Sequence, residues 1–195
     1  STSSPNFQNI PIRTEDGKEI RKAIKAQSNE YQIFSADYSQ VELRVMAHLS
    51  GDESLISALN NGEDIHTFTA KNIFNVDNDD MVLPEMRRIA KIVNFGIMYG
   101  AGPFRLSQEL DIPFGEAKQI KDAYFQKYRG IEQYIENSKL QIKETKSVET
   151  LLGRRRAVWD SDSQNKIRRD AAERMAINMP IQGSAAEMIK LAMIK

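Results

Sequence analysis

The 195-residue sequence predicts an α+β fold that is mostly α, on three observations. Apolar residues recur at helical spacing through most of the middle of the chain. The run YQIFSADYS, residues 31–39, alternates apolar and small residues as a strand does. SVETLLG and RRRAVW flank Gly153 as the two arms of a hairpin.

The elements follow in order. Residues 1–18 are rich in Ser, Pro, Asn and Gly and read as extended or looped. GKEIRKAIKA is a short helix or the entry to the strand at 31–39. VELRVMAHL is helical, with Val41, Val45 and Leu49 along one side, and Gly51 stops it. Asp52 caps the next helix, ESLISALNNG, and Asp64 opens DIHTFTAKNIF. Pro84 suits the first turn of the helix that follows. PFRLSQELD and PFGEAKQIKDAYFQKY each carry Pro near the start, and GIEQYIENSKLQIKETK is a longer amphipathic helix. After the hairpin, NKIRRDAAERMAINM and PIQGSAAEMIKLAMIK read as two helices broken at Pro180.

Charge is balanced, 27 basic residues against 27 acidic, so no global positive field advertises nucleic acid and any such surface is local. Basic clusters occur at Arg87 and Arg88, at Arg154 to Arg156, and at Lys166, Arg168 and Arg169. The absence of cysteine excludes disulfides and thiolate metal sites. No apolar run reaches membrane-spanning length and the N-terminus is not a signal peptide, so a soluble intracellular protein is the default. The missing initial methionine and the halt inside EMIKLAMIK suggest a fragment of something longer.

Residues 87–100, RRIAKIVNFGIMYG, carry the chemistry. Arg87, Lys91, Phe95 and Tyr99 recur every fourth residue, which on a helix makes a slowly winding stripe about 18 Å long. It has two cations at one end and two aromatic rings at the other. A nucleoside triphosphate has the matching layout: a polyanionic tail that suits Arg and Lys, and a flat base that stacks on aromatic rings. An ordinary solvated face beside an ordinary core would look the same in isolation. Asp37 closes the strand-like run and is positioned as a hard-metal ligand, since Mg²⁺ is held by one or two carboxylates plus substrate phosphates. The plainer alternative is that Asp37 only caps the helix beginning near Gln40.

Taken together, these stretches resemble family A DNA polymerases, the group of bacterial DNA polymerase I. DYSQVELRVMAHLSGD is similar to their motif A and RRIAKIVNFGIMYG to motif B. The likeness continues at SPNFQNIPIRT, DIHTFTA, TLLGRRR and ERMAINMPIQGSAAEMIKLAMIK, covering essentially the whole chain. The resemblance implies a helical fingers subdomain at 48–163, inserted in an incomplete palm with a small antiparallel sheet, formed by 1–47 and 164–195. It implies that Asp37 and the backbone carbonyl of Tyr38 hold a metal. Arg87, Lys91 and His66 would meet the triphosphate, with Lys91 also catalytic. Gln40 would lie near the incoming nucleotide, Phe95 against its sugar and base, and Tyr99 near the templating base. Glu42 would be a steric gate against a ribose 2′-OH. Asn6, Asn9, Arg13, Arg174, Asn178 and Gln182 would contact primer and template. Bland readings stand beside these: His66 as an ordinary histidine of an amphipathic helix, Gln182 as a cap, Asn178 as bonded only to local backbone.

The implied reaction is template-directed transfer of a nucleotide from dNTP to a primer 3′-OH with two Mg²⁺ ions. The implied partners are primer–template DNA, dNTP and the remainder of the polymerase chain, with no membrane, in the cytoplasm of a bacterium beside its nucleoid. The family's motif C, which carries the second metal-binding aspartate, is not among the 195 residues, nor is the thumb. The chain alone is therefore expected not to polymerise. The last helix is expected to expose apolar surface. Two competitors are an accessory DNA-binding module and a single-subunit RNA polymerase. Glu42 argues against the second, which must leave room for the 2′-OH.

Overall fold

The computed structural model of the chain describes residues 10–11, 14–34 and 36–194. The chain divides into two packing units, Ser1–Ser39 and Gln40–Lys195.

In the first unit, helix α1 (Glu15–Lys22) resolves the helix-or-strand choice at GKEIRKAIKA and begins two residues earlier, inside the segment read as loop. Thr14 caps it, its side chain accepting from the Gly17 amide at 3.2 Å. Glu15 and Asp16 in the first turn and Arg21 and Lys22 in the last match the helix dipole. Of the strand expected at 31–39, residue 35 lies outside the described residues, and the described residues 31–34 and 36–39 are not in a strand and are exposed, Phe34 at 89%. The alternation is present in the text, but a strand exists only through hydrogen bonds to a neighbour, and the described residues offer none.

The second unit holds helices α2 (Val41–Ser50), α3 (Glu53–Asn60), α4 (Ile65–Phe74), α5 (Pro84–Met98), α6 (Pro103–Leu110), α7 (Phe114–Lys127), α8 (Arg129–Thr145) and α9 (Lys166–Ile194). Strands β1 (Ser147–Glu149) and β2 (Arg155–Ala157) pair antiparallel between α8 and α9, in the register Val148 opposite Arg156. The described residues are thus mostly helical with one small antiparallel sheet, as the sequence predicts. The punctuation is also where it was expected. Gly51 ends α2, Asp52 and Asp64 cap α3 and α4, and Pro84 and Pro103 open α5 and α6. Among the described residues no helix is long and apolar enough to cross a membrane.

The expected break at Pro180 is absent, because α9 runs through it. An internal proline costs a helix about 3 kcal/mol by removing one ladder bond and crowding the preceding turn. Here the flanking residues Ala176, Ile177, Ile181 and Ala185 are all buried, and that packing outweighs the local cost. The Tyr134 hydroxyl donates to the Ile177 carbonyl at 3.2 Å, tying this part of α9 to α8.

The main core gathers Leu43 and Met46 of α2, Leu55 of α3, Ile65 of α4, Val93 and Ile97 of α5, Tyr128 before α8 and Ile177 of α9. A smaller core of Ile142, Val148, Val158, Ala172 and Ala176 seats the hairpin between α8 and α9. Gly183 permits that seating, since a Cβ there would lie 2.6 Å from Thr150 Cγ2. The far end of α9 exposes apolar side chains, including Leu191 and Met193, as expected.

Candidate functional site

Helix α5 builds the centre of the site. Pro84 sets its first turn, and its buried face is Ala90, Val93, Asn94 and Ile97. The predicted stripe follows the opposite side: Arg87 and Lys91 are exposed, and Phe95 and Tyr99 are half-buried. Tyr99 lies one position past the last helical residue, as the C-cap, but its amide still bonds to the Phe95 carbonyl at 2.9 Å. The two rings therefore stay stacked, with centroids 6.2 Å apart and planes inclined by 28°.

The N-terminus of α4 meets the cationic end of this stripe. Asp64 accepts from the Thr67 amide at 2.8 Å as the cap. The same carboxylate takes a forked pair of bonds from Arg87, Nη2 to Oδ2 at 2.7 Å and Nε to Oδ1 at 3.2 Å. Partial burial opposes the charge on Asp64, but the Arg87 and Thr67 hydrogen bonds prevail and bring its pKa down to about 2. Arg87 is correspondingly pushed up by its bond to Asp64. The sequence marked Asp64 only as a cap and gave no sign that it would hold Arg87, 23 residues away.

His66 sits one residue into α4, buried, its ring centroid 5.8 Å from that of Phe95. Burial lowers its pKa first; the Asp64 charge pulls upward, and Arg87 and Lys91 push further down. Asn94 Nδ2 approaches His66 Nδ1 at 3.2 Å. Nothing in the sequence singled out Asn94.

At the aromatic end, the Tyr99 hydroxyl donates to Glu42 Oε2 at 2.5 Å, joining α5 to the first turn of α2. Burial and the Glu42 carboxylate together push the Tyr99 hydroxyl up to about 12, partly offset by a hydrogen bond from Gln182. Glu42, Tyr99 and Gln182, separated widely in sequence, are thus brought together. Gln40, the residue before α2, is half-buried and takes a left-handed backbone, φ 54 and ψ 34, with no side-chain capping bond. For a residue other than Gly such a conformation stores about 1 kcal/mol or more and concentrates at functional positions.

Helix α9 contributes a second surface. Arg155 and Arg156 of β2, Arg154 before it, and Asn178 and Gln182 of α9 line an open cleft of about 560 Å³. Glu187 ties the hairpin to α9, accepting from Arg154 Nε at 2.7 Å and from Thr150 Oγ1 at 2.7 Å. The buried Oδ1 of Asn178 has no hydrogen-bond partner among the described residues. Arg174 lies against Gly100 at the end of α5, where an added Cβ would come within 3.0 Å of its Cγ.

Asp37 and Tyr38 belong to the first unit, both exposed and outside any helix or strand. The residue immediately before α2 is Gln40, and Asp37 is not its cap. Asn6, Asn9 and Arg13 lie outside the described residues. Among the described residues no group of three or more His, Cys, Asp or Glu is placed to hold a metal. Asp37 offers one carboxylate and Tyr38 a carbonyl, a donor set that suits Mg²⁺ only when substrate oxygens and water complete it.

Comparison with known proteins gives a consistent result. The family model for DNA polymerase family A matches residues 1–195. DNA polymerase I of Thermus thermophilus is 51% identical over 195 residues, covering 100% of this chain and 23% of that protein. DNA polymerase I of Bacillus caldotenax is 50% identical over 194 residues, and that of Mycobacterium tuberculosis 47% over 195, each covering 100% of this chain and 22% of the relative. The polymerase domain of Pol1 from M. smegmatis, solved in complex with DNA primer-template and dNTP, superposes with a TM-score of 0.90 at 46% identity, covering 100% of this chain and 34% of that one. The chain therefore spans under a quarter of the length of the curated relatives it matches.

Proposed function

Since the chain belongs to DNA polymerase family A, we propose that it forms the nucleotide-positioning part of a DNA-directed DNA polymerase, with fingers at 48–163 between palm segments 1–47 and 164–195. The observation that carries this reading is the α5 stripe: exposed cations at one end, stacked half-buried rings at the other, and a carboxylate tied to the second ring. Arg87 and Lys91 neutralise the triphosphate, with His66 as a further phosphate contact and Lys91 poised at the leaving pyrophosphate. Phe95 packs on the sugar and base, Tyr99 lies near the templating base, and Gln40 borders the nucleotide. Glu42, oriented by Tyr99, fills the space of a 2′-OH, favouring deoxynucleotides over the ribonucleotides an RNA polymerase takes. Arg174, Asn178 and Gln182, with Asn6, Asn9 and Arg13, hold primer and template. Minor-groove acceptors occupy similar positions in every base pair, so amide and guanidinium donors there sense pairing without reading sequence.

Asp37 and the Tyr38 carbonyl would hold Mg²⁺. When bound, a pair of such ions activates the primer hydroxyl and neutralises the departing pyrophosphate. One aspartate cannot build that pair, so the 195-residue chain by itself is not expected to extend a primer. The reading gives the parent enzyme a cytoplasmic place beside bacterial DNA. Titration of labelled primer–template with and without dNTP tests it. A nucleotide-dependent gain in affinity that disappears in Arg87→Ala and Lys91→Ala is expected. Binding indifferent to dNTP would favour an accessory DNA-binding module instead.

A further inference from the structure

Four buried polar side chains from three places in the chain form one connected line: Tyr128 before α8, Thr69 and His66 of α4, and Asn94 of α5. Thr69 Oγ1 is 2.8 Å from the Tyr128 hydroxyl and 3.2 Å from both amide atoms of Asn94. Two proton orders satisfy this line. Tyr128 donates to Thr69 and Thr69 to Asn94 Oδ1, or Asn94 donates to Thr69 and Thr69 to Tyr128. Either order leaves an Asn94 Nδ2 proton directed at His66 Nδ1, 3.2 Å away.

We propose that Asn94 is a positioning residue that fixes His66 as its Nε2–H tautomer, so that His66 meets phosphate as a neutral donor. With Nδ2 turned to the ring, Asn94 donates at Nδ1, which excludes a proton there and leaves Nε2–H as the ring's one donor. The inference rests on the reading of His66 as a phosphate contact, and it adds a division of labour. Arg87 and Lys91 supply the positive charge, and His66 supplies direction.

The surroundings keep the ring neutral. The charged groups that act on it are Asp64 at the start of its own helix and Arg87 and Lys91 across on α5. Burial outweighs the upward pull of Asp64, and the Arg87 and Lys91 charges add to burial. An imidazolium would also have to give up the bond from Asn94 Nδ2, because both ring nitrogens would then be donors, and only a turned amide could meet it. The consequence is a triphosphate contact whose strength does not follow histidine protonation through the neutral range.

Long-range ¹H–¹⁵N correlation on the labelled 195-residue chain reads the tautomer directly. The expected spectrum has Nδ1 unprotonated and Nε2 protonated, with the ring titrating below the ordinary histidine range. Asn94→Asp places an acceptor at Nδ1, so the proton should move to Nδ1 and the titration should rise. Binding of dTTP, nearly constant between about pH 6 and about pH 8 in the parent chain, should then become severalfold tighter at the acid end. A parent spectrum with the proton on Nδ1 would overturn the proposal, as would Asn94→Asp leaving tautomer and titration unchanged. If Asn94→Asp does not fold, the parent spectrum alone decides. Should the tautomer be as expected while dTTP leaves the His66 resonances unmoved, the phosphate reading fails and the positioning role of Asn94 stands.

Discussion

One carboxylate should hold two helices. Asp52 is buried; its Oδ1 accepts from the Leu55 amide at 2.9 Å, capping α3, and its Oδ2 accepts from the Gly130 amide at 2.8 Å in the first turn of α8. Asp52→Ala removes both bonds. Loss of an N-cap costs about 1 kcal/mol. The half-buried Gly130 amide left without a partner costs about 1–3 kcal/mol more. The sum is about 2–4 kcal/mol, which for a chain of this length lowers the melting temperature by about 4–16 °C. Asp52→Asn keeps an oxygen for Leu55 but turns an amide donor towards the Gly130 N–H, so about half the loss should remain. Gly130→Ala probes the same junction from the other side. Its Cβ would sit 2.8 Å from Asp52 Cα and 3.0 Å from Asp52 N, closer than backbone can yield cheaply. Alanine normally gains about 1 kcal/mol over glycine inside a helix, and here that gain should turn into a loss. Urea unfolding followed by circular dichroism measures all three. An Asp52→Ala chain within about 0.5 kcal/mol of the parent, or a stabilised Gly130→Ala, would refute the shared cap.

Asp64→Asn keeps the cap on Thr67 but frees Arg87. Exposed ion pairs are worth about 0.2–1 kcal/mol, so fluorescence titration should show dTTP binding tightened by up to about fivefold, and weaker binding would contradict the pairing. His66 has a depressed pKa in the folded chain, so the unfolded chain binds the extra proton first and the stability His66 confers, complete above the ordinary histidine pKa, is lost as pH falls through the folded value. Melting curves should therefore fall more steeply below about pH 6.5 for the parent than for His66→Gln, and parallel curves would count against a buried neutral ring. Tyr99→Phe removes a donor to Glu42 worth about 1.5–3 kcal/mol. In the parent-length enzyme this should loosen discrimination between deoxynucleotides and ribonucleotides in single-turnover incorporation, and unchanged selectivity would separate Tyr99 from the gate. Glu187→Gln should speed hydrogen exchange across 147–157, since the Arg154 ion pair holds that hairpin to α9.

Much of this molecule was legible in the text because the relevant forces act over one or two turns. Asp52, Asp64 and Gly51 govern helix ends through bonds to residues three or four positions away, Pro84 does so through its fixed φ, and each was placed correctly. The Arg87, Lys91, Phe95 and Tyr99 stripe follows from helical pitch alone. Three-dimensional packing decided the rest. Asp64 with Arg87, Glu42 with Tyr99, and Asn94 with His66 are pairings across helices, set by how apolar faces bury against one another rather than by spacing along the chain. Packing also carried α9 through Pro180, where burial on both sides outweighs a local preference for a break. At 31–34 and 36–39 the opposite held: a pattern suited to a strand formed none, because a ladder needs a second strand and a sequence pattern cannot supply it.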